Sequence, residues 1–321
     1  MATGIPFVST SEINAFVERN LRTSIIDPGQ YGSATWLGFL RHKKRIVLED
    51  GGSIISQPIL VAINDTAVTY SGADVLPSDA QEEFSSYELP WKQAQVSVTI
   101  NGIDKARVSG KRKQLDLVKN KIQSAYLALY NKMAAQVFAN GTTNSGKDWD
   151  GFAAGVNNAS GFQVYLGIDR LANPWWQAQV FNPGTPTTLS TASMMTLYMQ
   201  TKTDEETIHA IVTTKNSYAL YWATLTPNER FVDSTLASMG FDNIAFQGKP
   251  VLEDSHCPAG YMYYVNLDHC RMVVHKDVNF HFDGFQKPVN QDTETGHVFV
   301  YGNYECRKPA SNGYYANILN G

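Results

Sequence analysis

"SSYELPWKQAQVSVTING", residues 85–102, places two kinds of sequence side by side. In its second half Val96, Val98 and Ile100 alternate with Gln95, Ser97 and Thr99, the period of a half-buried strand. Its first half, Tyr87-Glu-Leu-Pro-Trp91, is a proline-stiffened aromatic corner. Upstream lie about forty residues almost without helical period. Downstream comes the longest helical pattern in the chain.

The upstream stretch, "GGSIISQPILVAINDTAVTYSGADVLPSDAQEEFSSYELPW" (51–91), is rich in β-branched and turn residues, broken at Gly51-Gly52, Ser71-Gly72 and Pro77. It predicts a long hairpin or ribbon. An arm of about 15–20 residues reaches roughly 50–65 Å at ~3.3 Å per residue, further than the subunit's own core requires. Two strands alone are marginal in water, so the ribbon should lie on something else. Its charge is one-sided as well. It contains no lysine, arginine or histidine but six acids: Asp65, Asp74, Asp79, Glu82, Glu83 and Glu88. From Ile103 to Lys121 the sign reverses, with Lys105, Arg107, Lys111, Arg112, Lys113, Lys119 and Lys121 against Asp104 and Asp116, a net +5 beside −6. Such a split suggests complementary surfaces, within one chain or between neighbours.

Leu115, Val118, Ile122, Ala125, Leu129, Met133 and Val137 recur at three- and four-residue steps and predict a helix over 111–139, about 43 Å long, stopped at Asn140-Gly141. At the N-terminus, Ser9 and Glu12 stand at capping-box spacing before the stripe Ile13, Phe16, Val17 and Leu21, and Asp27-Pro-Gly-Gln-Tyr-Gly32 breaks that helix. "RHKKR" (41–45) reads as a solvated strand edge, or as a face toward DNA. Further on, the patterns predict helices at 190–202 and around Tyr218–Leu225, the latter stopped before Pro227. Strands are predicted at "IHAIVTT", "YMYYVNL", "CRMVVH" and "HVFVYGNYECR". Met194, Met195, Tyr198 and Met199 read as core filling, and the tryptophans of "NPWWQ" as packing. Strands and helices mixed without regular βαβ spacing indicate an α+β fold.

Composition sets the outer bounds. A chain of 321 residues with 43% hydrophobic content supports a large core, expected in two lobes. A net charge of −4 disfavours a dedicated nucleic-acid binder. The sequence holds no 18-residue apolar run and no basic-then-apolar start, so it is expected neither to span a membrane nor to be secreted. Three scattered cysteines, Cys257, Cys270 and Cys306, read as reduced buried thiols, because the His256-Cys257 and His269-Cys270 pairs lack zinc-ligand spacing. A P-loop, dinucleotide fingerprint, nucleophile elbow and zincin motif are all missing, and "GKDWDG" lacks the Lys-Ser/Thr end that grips phosphate. The acids at Glu49-Asp50 and Asp204-Glu205-Glu206 read as solvated faces. His275 and His281, near Asp277 and Asp283, form the one candidate base–orienter set, with no nucleophile motif nearby. No catalytic residue, cofactor or metal ligand is assigned.

The order of parts resembles major capsid proteins of tailed bacteriophages with the Hong Kong 97-type fold. The likeness is carried by "GGSIISQPIL", "VTYSGADVL", "WKQAQVSVTINGI", a helix ending in "FANGT", "IDRLANPWWQ", "LTPNERF", "FQGKPVLEDSHCPAGYMYYVN" and "PVNQDTETG", spread from about 51 to 296. It implies an N-terminal arm and lead-in (1–50) and an extended E-loop (51–92). It further implies a peripheral domain (93–179 and 271–321) with its spine helix at 111–139, and an axial domain (180–270). Pro90 and Trp91 would turn the E-loop back to its own domain. The implied function is a shell subunit that assembles with itself into hexamers and pentamers of an icosahedral head around double-stranded DNA, in the virion. A separate scaffolding protein, a portal and a cement protein are the further partners implied. The acids of the E-loop, together with Pro90 and Trp91, and Lys111, Arg112 and Lys113 of a neighbour are the expected intersubunit contacts. The founding member's lysine–asparagine cross-link cannot form here, because 51–91 contains no lysine. An encapsulin-like compartment shell is the alternative, and a soluble hydrolase using His275 or His281 the remote one.

Overall fold

The computed structural model describes residues 35–107, 111–203, 205–225 and 244–321, with residues 111–113 by backbone alone. The expected N-terminal arm, its helix over 9–22, the break at 27–32 and the stop at Pro227 lie outside the described residues.

The alternation over 95–100 becomes β4 (Lys92–Asn101), which points Val98 and Ile100 inward and leaves Gln95, Ser97 and Thr99 exposed. It pairs antiparallel with β14 (Thr293–Cys306) over ten residues, from Lys92↔Gly302 to Asn101↔Thr293. On its other side β14 holds β13 (His281–Gln286) and then β12 (Cys270–His275), and β12 carries β1 (Ile46–Glu49) in parallel. Across this sheet lies the long helix α3 (Lys111–Gln136), following the short helices α1 (Thr35–His42) and α2 (Gly102–Arg107). Val118, Ile122, Ala125, Leu129 and Met133 of its stripe are buried, as is Val137 just beyond its end. It ends three residues short of the predicted stop because Phe138 and Ala139 tighten into i→i−3 hydrogen bonds before Gly141 takes a left-handed φ of 74°.

After the two-residue strands β5 (Val164–Tyr165) and β6 (Ile168–Asp169), which pair with each other, a six-stranded sheet forms the second layer, in the order β7 (Gln179–Phe181), β15 (Gly313–Tyr315), β11 (Met262–Val265), β8 (Ala210–Thr213), β10 (Lys249–Glu253) and β9 (Ile244–Phe246). Both of its faces are buried. Ala210, Val212, Tyr263 and Val265 join the core that contains α3. Ile211, Met262 and Tyr264 face a second core, closed by Met194 and Leu197 of α4 (Thr191–Thr201) and Tyr221 of α5 (Lys215–Thr224). Ser190 and Thr214 cap these helices, each accepting a backbone N–H three residues on.

Two expectations are corrected. "RHKKR" is not a strand edge: Arg41 and His42 close α1, Lys43-Lys44 turn, and Arg45 leads into β1, because the apolar stripe Trp36, Leu37, Phe39 and Leu40 has helical spacing. Met199 is 54% exposed and is not core filling, whereas Met194 is fully buried.

Candidate assembly surface

The upstream ribbon is a hairpin arm. Strands β2 (Ile54–Leu60) and β3 (Phe84–Pro90) pair in register from Ile54↔Pro90 to Leu60↔Phe84. Regular pairing is shorter than expected, seven residues per strand or about 23 Å at ~3.3 Å per residue. Beyond it, residues 61–83 form a tip without strand pairing, since Ser71-Gly72 and Pro77 interrupt any ladder. Gly51 and Gly52, at φ of 105° and 109°, open the arm, a conformation that a side chain would resist.

The inner face of the arm is locked to the body at its base. Tyr87 and Leu89 are fully buried, and the ring of Tyr87 stacks on Trp176 at 6.1 Å, which in turn stacks on Tyr165. The Tyr87 hydroxyl meets the Glu305 carboxylate and Gln57 Oε1 (2.8 Å), and Arg271 Nε donates to the other oxygen of Glu305. Burial first, and the Glu305 charge second, hold the Tyr87 phenol far above its ordinary range, so it stays a neutral donor. Trp176 is held by Arg170, whose guanidinium is fully buried and has no carboxylate partner among the described residues. It donates to three carbonyls, Trp176 O (3.0 Å), Phe162 O (2.9 Å) and Gly155 O (2.8 Å), and lies 4.9 Å from the Tyr165 ring. Burial lowers its pKa to about 10. Pro90 and Trp91 lie where β3 passes into β4. Asn303 Nδ2 donates to Pro90 O (3.0 Å), Trp91 Nε1 donates to Gly52 O (3.0 Å), and the Trp91 ring lies 5.4 Å from that of His275.

The outer face and tip have the opposite character. Among the described residues, eight of the sixteen exposed large hydrophobic side chains fall between 54 and 84. Leu60 and Phe84 form an exposed cross-strand pair, with Phe84 70% exposed; Ile63 is 84% and Val75 96% exposed. Polar bonds within the tip are local: Gln81 with Asp65, Asn64 with Glu83 (2.6 Å), and Asp74 Oδ2 accepting the Ser71 N–H (2.7 Å). They shape the loop without covering its apolar surface.

Among the described residues, the predicted charge partners are not joined within the chain. None of the six acids forms an ion pair among the described residues. On the basic side, Lys105 pairs with Glu294 (2.5 Å) and Lys121 with Asp104 (3.3 Å), so part of the +5 is answered locally. Arg107 and Lys119 are exposed, and the side chains of Lys111, Arg112 and Lys113 lie outside the described residues. Sequence reasoning missed Glu305, Arg271 and Arg170. The available signal was a charge inside an apolar strand ("GNYECR") or between apolar neighbours ("GIDRLA"), which burial tolerates only with several partners.

The other candidate chemistry disperses. His275 accepts the Asp277 N–H (3.2 Å) and His281 is exposed; neither meets a carboxylate among the described residues. His256 contacts Asp254, and Glu206 accepts from His269 (3.0 Å) and Lys308 (2.8 Å). No cluster of metal ligands and no helix long and apolar enough to cross a membrane occurs among the described residues.

No family model and no curated protein sequence matches this chain. Solved structures do. The capsid asymmetric unit of cyanophage A-1(L) superposes with a TM-score of 0.71 at 17% identity, over 91% of this chain and 95% of that one. The capsid of a native GTA particle gives 0.62 at 9% identity, over 94% and 99%. The holo-SrpI encapsulin complex from Synechococcus elongatus gives 0.54 at 11% identity, over 99% and 92%. At such identities the likeness is one of fold: the chain has the α+β fold of phage capsid subunits, the Hong Kong 97 type.

Proposed function

We propose that this chain is the major shell subunit of a tailed-phage head. Copies assemble into hexamers and pentamers of a closed icosahedral capsid that encloses double-stranded DNA. The observation that carries the reading is the arm: a hairpin anchored at its base, with an apolar outer face and tip that its own subunit leaves exposed, on a chain with the capsid fold. In this reading 51–92 is the E-loop, and its tip is buried on a neighbouring copy. Residues 93–179 and 271–321 form the peripheral domain around α3, residues 180–270 the axial domain, and residues 1–50 the arm and lead-in. Closure follows from symmetry, one fold making quasi-equivalent contacts around five- and six-fold centres.

The acidic E-loop would overlie the basic start of a neighbour's α3, with Asp65, Asp74, Asp79, Glu82, Glu83 and Glu88 facing Lys111, Arg112 and Lys113. Exposed pairs contribute about 0–1 kcal/mol each, so they set register more than strength. Reversing the three bases (Lys111→Glu, Arg112→Glu, Lys113→Glu) is expected to block assembly. Normal empty shells with altered DNA retention would assign those bases to the inner wall instead. A separate scaffolding protein, a portal and a cement protein complete the particle, which forms in the host cytoplasm and functions as a virion.

Electron microscopy and sedimentation of the purified chain test the core of the proposal. Capsomers or megadalton shells are expected; a compact monomer with 61–83 folded against its own body would overturn it. An encapsulin-like compartment is the second reading, favoured by the encapsulin superposition, which at 0.54 is weaker than the phage capsid at 0.71. Nucleic acid rather than an enzyme inside native particles separates the two.

A further inference from the structure

Cys270 and Cys306 face each other directly across the β12–β14 ladder, both thiols free and each 3% exposed, with their Sγ atoms 3.3 Å apart. The backbone identifies the kind of pair they form. Arg307 N–H donates to His269 O (2.9 Å), the bond that flanks the pair, while the Cys306 N–H goes to the Tyr165 hydroxyl (2.9 Å) and the Cys270 N–H to Asn266 O (3.1 Å). Neither cysteine spends its N–H on the other. This is the non-hydrogen-bonded pair of an antiparallel ladder, whose α-carbons approach to about 4.5 Å, inside the span of about 4.4–6.8 Å that a disulfide bridges. Asn312 holds both sulfurs in place, its Oδ1 3.4 Å from Cys270 Sγ and its Nδ2 3.4 Å from Cys306 Sγ. A cavity of about 20 Å³, lined by both cysteines, Trp36 and Tyr165, leaves room for the side chains to turn. Cys257 is also buried, but its Sγ points to Tyr261 O and has no sulfur neighbour.

We propose that Cys270 and Cys306 form a latent dithiol site, which a small-molecule disulfide oxidises to an intrachain cross-link between β12 and β14. One protein thiolate attacks a sulfur of the oxidant and releases one small thiol. The second thiolate then displaces the other half. Two S–H bonds are lost from the protein, one S–S bond forms, and the two protons and two electrons leave in two small-molecule thiols. The cross-link lies one register step from Arg271↔Glu305, the pair that seats Tyr87. Closing it ties together the two strands that carry the arm's socket, and constrains the 36-residue separation between them in the unfolded chain. A subunit made in a reducing cytoplasm would thus gain a covalent brace once its particle meets an oxidising medium.

The test uses the folded full-length protein, incubated with glutathione disulfide and, in parallel, with diamide. It is then quenched in acid, denatured, alkylated and weighed intact. Three alkylations are expected before treatment and one after, on Cys257, with a loss of about 2 Da in the unalkylated species. Peptide mapping should return Cys270 joined to Cys306. The thermal midpoint should rise by roughly 5–10 °C in the wild type and in Cys257→Ala, but not in Cys306→Ala. Three alkylations retained after treatment, or a bridge through Cys257 or between chains, would overturn the proposal. The mass measurement on the wild type stands even if Cys306→Ala folds poorly. It is also independent of whether the chain assembles into shells.

Discussion

Tyr87 and Phe84 stand three residues apart on one strand, and the molecule treats them in opposite ways. Tyr87 is fully buried, stacked on Trp176 and tied to Glu305, while Phe84 is 70% exposed beside Leu60, itself 57% exposed. The base of the hairpin is stabilised by its own chain, and the tip is not. A large apolar side chain in solvent forfeits roughly 1.5–3 kcal/mol of burial free energy, and Ile54, Leu60 and Phe84 share one exposed face of the hairpin. That surface is expected to find its cover on another molecule, so the arm's base should govern subunit stability and its tip should govern assembly.

Four measurements test this contrast. Tyr87→Ala removes a fully buried ring and leaves Glu305 short of a donor. It should cost about 3–5 kcal/mol in denaturant unfolding of the isolated chain, whereas wild-type unfolding would show that the base is not anchored. Leu60→Ser with Phe84→Ser should leave that unfolding free energy within about 0.5 kcal/mol. Sedimentation should show assembly weakened by roughly tenfold or more; unchanged assembly would mean that the outer face stays bare in the shell.

The third measurement is a control away from the arm. Asp148 accepts from Thr143 Oγ1 (2.5 Å) and Gln136 Nε2 (2.9 Å), with Lys132 at 3.6 Å, pinning the loop that follows α3. The Thr143 hydrogen bond first, and Lys132 and Gln136 with it, lower its pKa against the opposing pull of burial. A folded pKa below the unfolded value contributes stability above the ordinary aspartate range of about 4, and that contribution fades as pH falls through the folded value. Asp148→Asn should therefore cost about 1 kcal/mol at pH 7, a difference that closes on acidification, with assembly unaffected. A gap that persists at pH 2 would assign the effect to shape rather than charge. The smallest effect belongs to the acidic tip: Asp74→Asn with Asp79→Asn should shift assembly by about 0–1 kcal/mol at low salt, vanishing near 1 M. A shift that survives high salt would mean that these carboxylates are buried in the interface.

The regular elements were legible because single periods dominate them. Val96, Val98 and Ile100 alternate over a strand buried on one face, and Val118 to Val137 follow one helical stripe. The hairpin was legible in kind but not in extent. β-Branched content announces strand throughout 51–84, yet where pairing stops depends on how the two sides meet, and the ladder ends at Leu60↔Phe84. "RHKKR" misled because its charge hid the helical spacing of Trp36, Leu37, Phe39 and Leu40 just before it. The socket was illegible. Tyr87, Trp176, Arg271 and Glu305 come from four separate stretches, and no local pattern relates them.

The local periods, the thiol count, the sign of charge along the arm and the shortage of catalytic motifs can be read along the chain, since each depends only on neighbouring residues. Which face of the arm is anchored, that Cys270 opposes Cys306, and that Glu305 and Arg170 are buried with their partners emerge only from the fold. Those facts depend on which distant strands share a sheet. That choice is made by the whole core at once.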